Sequence, residues 1–129
     1  MKNVIFTDKA PAAIGPYSQA IKIGNLVFTS GIIPADPMSG NIPDGIEDQS
    51  RQAFANMCNL LEAAGSNMAQ VIKTTVFISD MNDFSKINEI YAEYFEQPYP
   101  ARSCVEVSRL PKDVKLEIEA VAEHPSQVI

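Results

Sequence analysis

Two side chains in the stretch YPARSCVEVSRLPKDVKLEIEAVA, Tyr99 to Ala122, do not suit the strands that carry them. Arg102 opens the first apolar alternation and Glu117 sits inside the second. A guanidinium is a planar fork that can grip a carboxylate with two parallel N–H bonds. A sheltered carboxyl can take up a proton and return it.

The period of two decides which way each side chain points. Ser103, Val105 and Val107 share one face of the first strand; Arg102, Cys104 and Glu106 share the other. In the second strand Val114, Leu116, Ile118 and Ala120 lie opposite Lys115, Glu117, Glu119 and Val121. A hairpin with the loop Leu110 to Asp113 sets Val105 opposite Ile118 and Val107 opposite Leu116, so the apolar sets coincide. On the reverse face Cys104 then meets Glu119, and Glu106 meets Glu117. Arg102 and Glu117 share that face. Two facing glutamates repel, so solvent, a cation or a neighbouring chain must offset them.

The rest of the chain supplies the elements that position these residues. Val4 to Thr7 reads as a short edge strand, and the proline-rich Asp8 to Gln19 as a loop. Ala20 to Ile23 and Leu26 to Ser30 flank Gly24-Asn25, which suits a tight hairpin turn. Pro34 to Gly45 is again a loop. Ile46, Ala53, Phe54, Met57, Leu60, Leu61 and Ala64 recur at helical spacing, and Gly65 stands at the C-cap. The first helix is therefore expected over Ile46 to Ala64.

Val71 to Ser79 is dominated by β-branched residues and reads as a strand. A second helix follows, with Asp80 or Asn82 near its cap and Phe84, Ile87, Tyr91, Tyr94 and Phe95 as its apolar stripe. Asn88 falls on or beside that stripe and suits either a helix-edge amide or a site residue. The order is ββ(β)-α-β-α-ββ. Two helices cannot cover both faces of a five- or six-stranded sheet, so they pack on one face in a two-layer α+β domain. Residues 1–129 read as a single domain.

Both faces of Val71 to Ser79 are largely apolar or weakly polar, so that strand calls for cover on each side. The uncovered face is either wet or closed by another copy of the chain, as in cyclic homo-oligomers. In the second case Arg102 and Glu117 line a partly dehydrated cleft near a subunit boundary.

Composition narrows the function classes. The chain has 129 residues, is 46% hydrophobic and carries a formal net charge of −6. A nucleic-acid binder usually shows a basic patch, and here only Arg109 to Lys115 gathers several basic residues. Nucleic acid is not an expected partner. No apolar run approaches the ~20 residues that cross a bilayer, and MKNVIFTDKAPAA lacks the character of a secretory signal. Cytoplasmic residence, with no membrane contact, is the expectation. Cys58 and Cys104 are expected as reduced thiols. The single histidine, His124, lies in the tail EHPSQVI and is expected at the surface. One histidine and no calcium-loop spacing leave no expected metal site.

Five ordered motifs carry a resemblance across nearly the whole length: APAAIGPYSQA (Ala10 to Ala20), FTSGIIP (Phe28 to Pro34), AAG (Ala63 to Gly65), VIKTTVFISDMNDFSKIN (Val71 to Asn88) and PARSCVEVSRLPKDVKLEIEA (Pro100 to Ala120). The chain resembles the RidA (YjgF-type) reactive-intermediate deaminases, a family also described as endoribonuclease L-PSP. The resemblance implies a chorismate-mutase-like fold, a homotrimer around a central barrel, and sites in the clefts between subunits. It implies cofactor-free hydrolysis of 2-iminobutanoate and 2-iminopropanoate to 2-oxo acids and ammonia. Such imines arise from enamines released by pyridoxal-phosphate-dependent dehydratases.

By the same resemblance Arg102 is the carboxylate-binding arginine and Glu117 the acidic catalytic residue. Tyr17, Ser30, Gly31 and Asn88 fall on substrate-binding positions. Cys104 matches a position whose backbone carbonyl contacts the substrate nitrogen. The link EQPYP is shorter than in some relatives, which bears on side-chain preference. Tyr99 there is either a pocket border or a packing residue. Two other functions stay open: a sensor that binds small carboxylates without turnover, and a ribonuclease, against which the acidic composition weighs.

Overall fold

The computed structural model describes residues 1–125. Six strands form one sheet: β1 (Asn3–Ile5), β2 (Ala20–Ile23), β3 (Leu26–Thr29), β4 (Val71–Ile78), β5 (Ala101–Glu106) and β6 (Leu116–Glu123). Their spatial order is β1-β2-β3-β6-β4-β5. Neighbouring strands run antiparallel except β4 and β5, which are parallel. Helices α1 (Ile46–Ala63) and α2 (Phe84–Tyr94) pack on one face. This is the expected two-layer α+β arrangement in its six-stranded form.

Alternation along the central strands builds the core. Thr74, Val76 and Ile78 of β4 and Leu116, Ile118, Ala120 and Ala122 of β6 are buried beneath the helices. Ala53, Phe54, Met57, Leu60 and Leu61 of α1 meet them, with Ile87, Ile90 and Tyr91 of α2. A fully buried Leu or Ile contributes about 1.5–3 kcal/mol. The α1 stripe therefore holds its helix far more firmly than backbone propensity does.

Local chemistry fixes the ends. Gly65 takes φ +80 after α1; its N–H donates to Glu62 O, and the Ser66 N–H donates to Leu61 O. That is a Schellman closure, which needs the left-handed residue that glycine supplies. The Asp80 carboxylate accepts from the Asn82 N–H at 2.9 Å and opens the turn before α2. Two buried amides of α1 tie down the loops beside the sheet. Asn56 donates to the carbonyls of Ile33 and Ala35, and Gln49 bonds Pro43 O and the Lys115 N–H.

The last two strands do not form the expected hairpin. β4 lies between them: Val76 pairs with Ile118 on one side and with Cys104 on the other. The apolar alternation of β6 fits the eight-residue β4 as well as it fits β5, and β4 offers the longer ladder. Helix α2 supplies the crossover that a parallel β4–β5 pair requires. Glu106 therefore does not face Glu117. Its Oε1 accepts from the Met81 N–H at 2.8 Å, and Glu117 pairs with Phe77.

The second sheet face carries no helix. Val4, Ile21, Ile23, Phe28 and Val105 lie on it with Phe77 and Val121. Val4, Ile23, Phe28 and Val105 are each more than 40% exposed. Glu117, Glu119, Lys73, Thr75 and Ser103 share this face and divide its apolar residues into two patches. Exposed apolar side chains in this number, rimmed by polar ones, mark an interaction surface.

His124 is a correction of smaller scope. It is half-buried, its N–H donates to Asn25 O, and its Nε2 lies 2.7 Å from Lys22 Nζ. β6 runs far enough to bring the ring over Gly65, so the residue is packed rather than free. The remainder of the tail, residues 126–129, lies outside the described residues.

Candidate functional site

Arg102 sits on β5, the edge strand, beside the buried Thr74 of β4 and under α2. Its Nη1 donates to Asn88 Oδ1 at 2.7 Å. Its guanidinium carbon lies 4.8 Å from the Tyr91 ring centroid and 5.3 Å from that of Phe84. Both distances suit a cation over an aromatic face. Asn88, Tyr91, Ala92, Tyr99, Pro100 and Arg102 line a cavity of about 380 Å³. One wall offers a cation and an amide, and the others are aromatic or aliphatic.

Cys104 follows Arg102 on the same side of β5 and packs against the core edge. Burial pushes its thiol above the usual thiol range, and the Arg102 charge opposes that rise. A thiol held protonated is a poor nucleophile, which suits a backbone role better than a side-chain one. Cys58 is likewise raised, by burial and then by the Glu62 charge. Both thiols are free, as expected.

Glu117 lies on the other face of the sheet, between Leu116 and Ile118, which both point into the core. It is half-buried against the backbone of Gly31. Reciprocal bonds between Ile32 and Ile118, at 2.7 and 3.1 Å, hold that backbone against β6. A Cβ added at Gly31 would overlap the Glu117 carboxylate, so glycine is what allows the approach. Burial, and then the neighbouring Glu119 charge, hold the Glu117 carboxyl above the usual carboxylate range.

Ser30 precedes Gly31. Its N–H donates to Gln19 O at 2.9 Å and its hydroxyl to Ser18 O at 2.5 Å. Tyr17 is exposed, and its hydroxyl accepts from the Ile14 N–H at 3.3 Å. Tyr17 and Ser30 share a groove with Ile21 and Phe28 on the open sheet face.

The predicted residues thus fall into two groups. Arg102, Asn88, Tyr99 and Cys104 gather at β5 and α2. Glu117 and Gly31 are in contact, and Ser30 and Tyr17 line the same small cleft as Gly31. The expected shared face for Arg102 and Glu117 is not present within one chain. β4 separates their strands, and the parallel β5 turns Arg102 toward the helices. Among the described residues, no group of three or more His, Cys, Asp or Glu side chains is placed to hold a metal ion.

A family model described as Endoribonuclease L-PSP matches residues 7–124. The chain belongs to this family. The RidA (YjgF-type) resemblance read from the five motifs is thereby met. A RutC family protein of Pyrococcus horikoshii is 61% identical over 123 residues, 95% of this chain and 98% of that protein. An Escherichia coli protein named 2-iminobutanoate/2-iminopropanoate deaminase is 50% identical over 125 residues, covering 95% of this chain and 98% of its own. The crystal structure of E. coli TdcF with bound serine matches with a TM-score of 0.91 at 51% identity, covering 95% and 99% of the two chains.

Within this L-PSP chain, sequence reasoning missed four residues around the two groups. Tyr91, Phe84 and Thr74 support Arg102, and Gln19 secures the loop before Tyr17. Phe84, Asn88 and Tyr91 recur at i, i+4 and i+7, and that spacing was the available signal. It read as core packing for the two aromatics. Gln19 lies in an aperiodic loop and gave no signal.

Proposed function

We propose that this chain is a cofactor-independent 2-imino acid deaminase acting on 2-iminobutanoate and 2-iminopropanoate. Water adds to the C=N carbon, the C–N bond breaks, and a 2-oxo acid and ammonia leave. The observation that carries this reading is the division of the site residues. A guanidinium with one edge held by Asn88 and a sheltered carboxyl occupy opposite faces of one sheet. A second copy seated on the open sheet face is the simplest way to bring them together. We infer a homotrimer, as the family resemblance implies, with each cleft taking Arg102 from one protomer and Glu117 from the next.

In that cleft the free edge of Arg102 binds the substrate carboxylate. Each charge-assisted bond contributes about 1.5–3 kcal/mol where water is excluded. The Gly31 N–H is a further donor, and the Cys104 carbonyl orients the substrate nitrogen. Tyr17, Ser30 and Tyr99 border the substrate. Glu117 takes a proton from the attacking water and returns one to nitrogen, a role worth about 10²–10⁴-fold in rate. Its raised pKa suits both halves of that exchange. The imine is already electrophilic, so no cofactor is called on.

The test couples the protein to a threonine dehydratase and follows 2-oxobutanoate. Wild type accelerates its release, and Arg102→Ala, still folded and assembled, does not. Equal rates with both proteins would remove Arg102 from the reaction. A second reading has one observation in its favour, the serine held in the TdcF crystal. In a carboxylate sensor, Glu117→Gln binds 2-oxobutanoate normally, and imine decay is the same with and without protein.

A further inference from the structure

We propose that Tyr91 and Phe84 are positioning residues that orient the Arg102 guanidinium for carboxylate binding, with Thr74 locking Tyr91. This rests on the reading of Arg102 as the carboxylate-binding group. A long arginine on an edge strand has many rotamers, and holding one of them favours each bond it then makes. Three contacts from α2 restrict this arginine. Asn88 Oδ1 takes one N–H of the fork at 2.7 Å, which fixes its in-plane direction. Tyr91 and Phe84 lie at 4.8 and 5.3 Å from its centre, which fixes its tilt. The three residues are spaced i, i+4 and i+7 and so share one helix face.

Tyr91 is itself immobilised. Its hydroxyl lies 2.8 Å from Thr74 Oγ1, on the β4 residue that pairs with Arg102. Its ring stacks on Phe95 at 4.2 Å and meets Phe54 edge-on at 5.8 Å. A rigid path therefore runs from the core through Tyr91 to the guanidinium. The buried Thr74 hydroxyl gains its side-chain partner in the same bond.

Carboxylate binding is alike in ground and transition states, so loss of orientation raises KM and leaves kcat nearly unchanged. Phe84→Leu and Tyr91→Leu, in the full assembled protein, are expected to raise KM and weaken 2-oxobutanoate binding by about 5–10-fold. Nitrogen NMR of the Arg102 side chain should show faster rotation about Cζ–Nε in both. Tyr91→Phe keeps the ring and is expected to recover most of the lost affinity. If Tyr91→Leu does not fold, Phe84→Leu decides, because Phe84 is only half-buried. Wild-type KM, 2-oxobutanoate affinity and guanidinium rotation in Phe84→Leu overturn the proposal. Absence of imine turnover in wild type overturns the deaminase reading instead, while 2-oxobutanoate binding and Arg102 rotation still test this one.

Discussion

Arg102 and Glu117 stand on the two strands that flank β4, and they point to opposite faces of the sheet. Arg102 pairs with Thr74, whose side chain lies beneath α2; Glu117 pairs with Phe77, on the face without helices. One chain therefore keeps the two side chains apart, on opposite faces of its sheet. Any cleft that uses both residues takes them from different copies.

This separation predicts complementation. In the proposed reaction Arg102→Ala, through KM, and Glu117→Gln, through kcat, should each lose turnover at the low imine concentration of the coupled assay. Dissociated, mixed in equal amounts and reassembled, they form clefts of which about a quarter combine an intact Arg102 with an intact Glu117. Imine turnover should reappear at about that fraction of wild type. Mixed assemblies with no turnover at any ratio would show that the two residues do not meet across an interface.

The contrast between legible and illegible features has a physical basis. Helix α1 was readable because its stripe runs over many turns and ends at Gly65, whose φ +80 no branched residue adopts cheaply. The faces of β6 were readable because alternation assigns sides. Alternation does not name the neighbour. Ile118 fits Val105 and Val76 equally well, and only the parallel crossover through α2 selects Val76. The wrong neighbour then placed Arg102 and Glu117 on one face. Arg102, Glu117 and Asn88 stood out as polar residues in apolar patterns. Tyr91 was hidden because the same ring serves the core and the guanidinium.

Gly31 predicts a sharp steric effect. Gly31→Ala drives a methyl group into the Glu117 carboxylate. Gly31 itself is exposed, so the fold tolerates the change while the carboxyl moves. Turnover should fall by about 10²-fold, toward the loss of general acid–base help, with the melting temperature nearly unchanged. Full activity in Gly31→Ala would mean that the carboxylate position is not critical.

The raised pKa of Glu117 has two consequences for pH. In the proposed reaction the ionised carboxyl is the base, so activity should rise with pH through its elevated pKa. Glu119→Gln removes the second cause of that elevation and should move the acid limb of the pH–rate profile to lower pH. Stability runs the other way. Below the usual carboxylate range Glu117 is protonated in folded and unfolded chains alike, and its burial costs little. As pH rises through the folded pKa the carboxylate must ionise in a half-buried place, and that stability is lost. Glu117→Gln should therefore melt higher than wild type at neutral pH, and the difference should vanish in acid. A melting difference that grows in acid would reverse the assigned direction.

Gln19 predicts an effect on both stability and the loop beside the Glu117–Gly31 contact. Its side chain is buried and bonds the loop on both edges. Oε1 accepts from the Thr7 N–H at 2.8 Å, and Nε2 donates to Thr7 O at 3.0 Å and Pro11 O at 2.9 Å, with Ala10 O at 3.4 Å. Ala10, Pro11 and Tyr17 line a small cleft with Ser30 and Gly31, so this amide holds the loop against the Gly31 backbone. Gln19→Leu keeps the shape but leaves the Thr7 N–H and the loop carbonyls without their partner, at a cost of about 1–3 kcal/mol for each group that stays buried. The variant should melt lower, exchange the Thr7 amide faster and lose part of its turnover. Gln19→Glu should be worse, because a carboxylate then faces the carbonyl oxygens of Thr7 and Pro11. Unchanged exchange at Thr7 in Gln19→Leu would mean that the loop is held by its prolines and packing rather than by this side chain.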